Sequence, residues 1–115
     1  MKKLLIALVI SLFGNIGYSQ LSVQSQTIRD SFPEVYKIVK DFSSKDWSGD
    51  HEMMVFSINS QSAAFYKLGV LRKDKSYDES IMNKAINDWV DKKGLVDFTM
   101  VLFQYEAQLK SKGAY

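Results

Sequence analysis

The sequence predicts an all-α fold, a small four-helix arrangement made of two tandem helix-loop-helix hairpins. Three observations carry that expectation. Apolar residues recur at i, i+3, i+4 and i+7 in separate stretches, polar N-cap residues precede them, and the chain resembles itself at an offset of 47 positions.

Residues 1–19, MKKLLIALVISLFGNIGYS, read as a secretory signal peptide: Lys2 and Lys3, an apolar run from Leu4 to Phe13, then the small-x-small ending Gly17-Tyr18-Ser19. A run of ten residues, nine of them apolar, is too short to cross about 30 Å of hydrocarbon, and no later stretch reaches the roughly 18 that a span needs. Cleavage after Ser19 is expected to leave an exported chain, periplasmic or extracellular, that begins at Gln20. Without cysteine it can hold neither a disulfide nor a lipid-modified N-terminal Cys.

The precursor carries 15 Lys and Arg against 13 Asp and Glu. Lys2 and Lys3 leave with the signal peptide, so the remaining residues 20–115 are charge-balanced. The pI of 8.8 therefore describes the precursor, and nucleic acid is not an expected partner. Residues 20–115 suffice for one domain with one modest core.

After a polar lead-in, LSVQSQTIRD, Ser31, Pro33 and Glu34 form a capping box ahead of the stripe Val35, Ile38, Val39 and Phe42. SSKDWSGD breaks that helix. Asp50 is placed to cap a second helix, with Met54, Val55, Ile58, Phe65 and Leu68 on one side and Gly69 as its stop, closing a hairpin over 31–68. A charged connector occupies 69–77.

The second hairpin, 78–112, opens on a box of Ser76 and Glu79 and carries Met82, Ala85, Ile86 and Trp89. Lys92, Lys93 and Gly94 suit a helix end, since cations favour the negative end of the dipole and glycine the left-handed cap. Asp97 is placed to cap a last helix with Phe98, Val101, Leu102, Tyr105 and Leu109, Val96 and Val101 acting as a staple. MMVFSI and VDFTMVLF also allow alternation, so the competing expectation is α+β with short strands near 53–58 and 96–103.

With residues 31–62 laid over 78–109, seven of 32 positions are identical: Lys37/Lys84, Asp41/Asp88, Lys45/Lys92, Asp50/Asp97, Met53/Met100, Phe56/Phe103 and Gln61/Gln108. A hairpin cannot bury its apolar face alone, and two copies favour closing on each other over an open solenoid.

The only histidine, His51, stands between Asp50 and Glu52. An enzymatic corner is one reading of it. The repeat argues for a helix start instead, because Asp50 and Met53 recur while His51 aligns with Phe98. One histidine without cysteine gives no zinc-ligand spacing, and no nucleophile elbow, glycine-rich phosphate loop or calcium loop is present. No cofactor and no metal are expected.

Met53 and Phe56, with their equivalents Met100 and Phe103, lie off the core stripes at 100° per residue. They are the candidate binding residues, together with Trp47 and Trp89, which each follow an aspartate. The functional expectation is a non-catalytic protein-interaction or structural module, acting on a protein partner or a second copy of itself. The alternatives are a carrier of a small apolar ligand, suggested by five Met and 13% aromatic residues, and a small hydrolase.

Overall fold

The computed structural model describes residues 20–113. The expected signal peptide lies outside them. Among the described residues five helices account for the regular structure: α1 Val23–Ser31, α2 Pro33–Trp47, α3 His51–Leu71, α4 Glu79–Asp88 and α5 Phe98–Lys112. Among the described residues there is no strand, only an isolated bridge between Val90 and Val96. The α+β alternative is therefore overturned, since 53–58 lies within α3 and 98–103 within α5.

α1 is a helix where a polar lead-in was expected. Ser22 caps it by accepting from the Ser25 amide, yet nine residues are too few to hold a helix in water unaided. Its start is fixed from α3. Asn59 Oδ1 accepts from the Ser22 amide and the Ser25 hydroxyl at 2.8 Å each, and Asn59 Nδ2 donates to the Gln20 carbonyl. The apolar contribution comes from Ile28, which is fully buried.

The expected Ser31/Glu34 box is not formed, because Ser31 ends α1. Phe32 serves as C-cap of α1 and N-cap of α2 with no side-chain cap bond, and Pro33 opens α2, where the missing N–H costs nothing. Val35, Ile38, Val39 and Phe42 do face inward as expected. Gly49 turns the chain at φ +94°, and the Asp50 side chain then caps α3 by accepting from the Met53 amide.

α3 continues through Gly69 to Leu71, so Gly69 is not a stop. In the connector, Asp74 Oδ1 accepts from the amide and hydroxyl of Ser76. That local turn consumes the serine expected to cap α4, and Asp78 caps Ile81 in its place. α4 ends at Asp88, well before Lys92 and Lys93. Here Asp91 Oδ1 accepts from the amides of Lys93 and Leu95 at 2.8 and 2.9 Å, an arrangement that competes with helix. Gly94 has the expected positive φ, +85°, but inside this turn rather than at a helix end. Asp97 caps α5 as expected.

The helices pack α2 on α3, α4 on α5, α3 on α5, and α1 on both α2 and α3. Direction follows from the bonds. Ser22 meets Asn59 and Phe32 meets Phe65, so α1 runs parallel to α3. Gln61 meets Phe98 and Leu68 joins Val101 and Tyr105, so α3 runs parallel to α5. The two hairpins thus meet chiefly through α3 and α5, and five packed helices stand where a closed four-helix arrangement was expected. The additional helix, α1, packs on both α2 and α3.

One core cluster, Leu68, Met82, Ala85, Val101 and Tyr105, binds the end of α3 to α4 and α5. Ile28, Val39, Val55, Ile58 and Ala64 are buried toward the other end, with Ser25, Ser43 and Ser62 buried among the polar residues. No helix among the described residues is long and apolar enough to cross a membrane.

Candidate functional site

Of the six residues singled out from sequence, three come together. Trp89, Met100 and Phe103 line a shallow concavity of about 300 Å³ where the end of α4 meets α5, with Asp88, Gln104, Ala107 and Gln108 completing the lining. Phe103 is 67% exposed. Its position on α5 is opposite Val101 and Tyr105, which face the core.

A chain of polar contacts fixes the tryptophan. Trp89 Nε1 donates to Gln104 Oε1 at 2.7 Å, Gln104 Nε2 donates to Asp88 Oδ2 at 2.9 Å, and the same oxygen accepts from Lys84 Nζ at 2.9 Å. The Gln104 amide first, and then the Lys84 ammonium, holds the Asp88 carboxyl below its ordinary range. The indole N–H is therefore already satisfied. What the site offers a ligand is a pre-set aromatic edge, a thioether and a phenyl ring, surfaces suited to apolar contact.

The first hairpin does not reproduce the site. Lys37 and Asp41, equivalent to Lys84 and Asp88, pair at 2.6 Å, but Ser57 stands where Gln104 does and donates to Ser43. Phe42 stands in the place of Trp89, with Lys45 Nζ 4.8 Å from its ring centroid. Phe56 is 52% exposed and Met53 half-buried. Because Gln61 is level with Phe98, Phe103 lies level with Tyr66, roughly 15 Å along the shared direction from Phe56. The expected paired Met/Phe surface is thus two separate patches, and Trp47, 38% exposed at the end of α2, does not line the concavity beside Trp89.

His51 is exposed at the first position of α3. Asp50 is engaged with the backbone, and no group of three His, Cys, Asp or Glu side chains able to hold a metal exists among the described residues.

Sequence reasoning missed Gln104, which orients Trp89, because its two bonds join residues 15 and 16 positions apart on different helices. It also missed Phe32 and Val70, exposed at 47% and 64%. Neither lies on a periodic stripe that would have drawn attention. Comparison with family models, with curated proteins and with solved structures finds no match.

Proposed function

We propose that this protein is an exported, non-catalytic interaction domain that engages a protein partner or a second copy of itself through the Trp89, Met100 and Phe103 face. The observation that carries this reading is the exposure of Phe103 at 67% beside a tryptophan whose orientation is already fixed. A solvated phenyl ring is costly to maintain, and an aromatic edge that needs no reordering loses little entropy on binding. Aromatic and Met side chains are also the types enriched at the centres of interfaces.

The test compares Phe103→Ser, Phe56→Ser and the double variant. Sedimentation of each, and capture of partners from the envelope fraction, read association; far-UV dichroism reads folding. Phe103→Ser is expected to stay folded and to lose self-association or the specific partner, whereas Phe56→Ser retains it. Association unchanged in the double variant would exclude this face, and unfolding of Phe103→Ser would show the ring to be structural.

A further inference from the structure

A second concavity, away from Trp89, lies where the α1–α2 junction meets the last turns of α3. It measures about 450 Å³ and is lined by Phe32, Phe65, Tyr66, Gly69, Val70 and Lys73. Its walls are aromatic and aliphatic. Phe32 packs on Phe65 with ring centroids 6.3 Å apart, and Phe65 stacks edge-on to Phe98 at 5.3 Å. The wall is thereby continuous with the α3–α5 interface, while Phe32 and Val70 remain 47% and 64% exposed.

Gly69 forms part of the lining. It sits inside α3, two residues before the helix ends, and its backbone is not in the left-handed region that would require glycine. Glycine is disfavoured within a helix, and here its conformational freedom is not used. The space beside it is open: a Cβ added at Gly69 would meet no atom within 4 Å. Lys73 is the one charged side chain of the lining and has no ion-pair partner among the described residues.

An apolar trough with a glycine in its lining and a single unpaired cation at its rim fits a ligand with an apolar body and one negative end. The geometry points to a binding groove for a medium-chain fatty acid, its acyl chain lying over Gly69 between Phe32 and Val70 and its carboxylate at Lys73. The volume falls within the range of small-molecule sites, and the charge at the rim selects an anion over a cation of the same chain. This site is independent of the Phe103 face.

Isothermal titration of the full chain with decanoate tests it, with decyltrimethylammonium as the charge-inverted probe and both kept below their micelle concentrations. Decanoate is expected to bind about tenfold more tightly than the cation. Gly69→Leu fills the trough and Lys73→Ala removes the rim charge. The first is expected to weaken decanoate binding at least tenfold with the helical spectrum unchanged, and the second to abolish the preference for the anion. Val70→Ser, an exposed change, serves as a second groove variant should Gly69→Leu fail to fold. The unmodified chain and its variants share the same N-terminus, so differences among them report on the groove. No decanoate binding by the unmodified chain, equal binding of the two probes, or unchanged binding in the folded groove variant would each overturn the assignment.

Discussion

Asp50 and Asp97 hold equivalent places in the repeat and cap α3 and α5 in the same way, through the amides of Met53 and Met100. Their surroundings separate them. Asp50 is exposed, whereas Asp97 Oδ1 also accepts from the Thr99 hydroxyl at 2.7 Å and from Gln61 Nε2 at 2.9 Å. Asp50→Ala should therefore cost about 1 kcal/mol, the usual value of an N-cap. Asp97→Ala should cost about 2–3 kcal/mol, because it also leaves the buried Gln61 amide with only its longer bond, 3.4 Å, to Thr99 Oγ1. His51→Ala should stay within about 0.5 kcal/mol of the unmodified protein. Urea midpoints of the three variants check the order; equal effects of the two aspartate changes would mean that Gln61 adds nothing to the cap.

The elements end where carboxylates draw backbone or side-chain donors. The Leu95 amide foremost, with Lys93 and Lys45, holds Asp91 below its ordinary range. Lys112, followed by the Ile81 amide, does the same for Asp78, and Gln104, followed by Lys84, for Asp88. In the unfolded chain such groups titrate near 3.8. A carboxyl whose folded value is depressed stabilises the fold above its unfolded value and loses that contribution as pH falls through the folded one. Stability should accordingly be level between pH 7 and about 5 and decline below about 4. Thermal midpoints across that range check it. Asp91→Ala should lower the midpoint at pH 7 and make the acid decline shallower, because one of the linked carboxyls is gone. A midpoint that rises below pH 4 would contradict the ladder of carboxylate contacts.

At the scale of the molecule, the two hairpins are joined by α3 and α5, and Gln61 stands at that joint. Its Oε1 accepts from the Phe98 amide at 2.6 Å while its Nε2 donates to Asp97. Lys45 and Asp91 also bridge the halves, at 3.4 Å, but both are substantially exposed and contribute little. Gln61→Leu keeps the volume and removes these bonds and the longer one to Thr99 Oγ1, leaving the Phe98 amide unpaired, a loss of about 2 kcal/mol. Because Leu68 and Leu71 still pack on α4 and α5, the variant should remain helical. Hydrogen exchange in α4 and α5 should accelerate more than in α1 and α2. Uniform acceleration would show that the molecule opens as a single unit rather than at this joint.

The sequence alone determined what depends on neighbours within a few residues: helical class, the inward stripe of α2, the cap aspartates of α3 and α5, and the recurrence of Lys37–Asp41 as Lys84–Asp88. Such signals are periods and caps, and they act over one or two turns. Only the tertiary structure decided the rest. α1 depends on Asn59, 37 positions from the amide it holds. Trp89 is oriented by Gln104 from another helix, and the Met/Phe positions separate because α5 begins level with Gln61 rather than with Asp50. Ser76 and Gly94 show the same limit locally, since each was a sound cap residue that another partner or turn claimed first. Gly69, by sequence a helix stop, lines an open trough instead, because α3 packed against its neighbours gains more by continuing to Leu71 than the glycine costs.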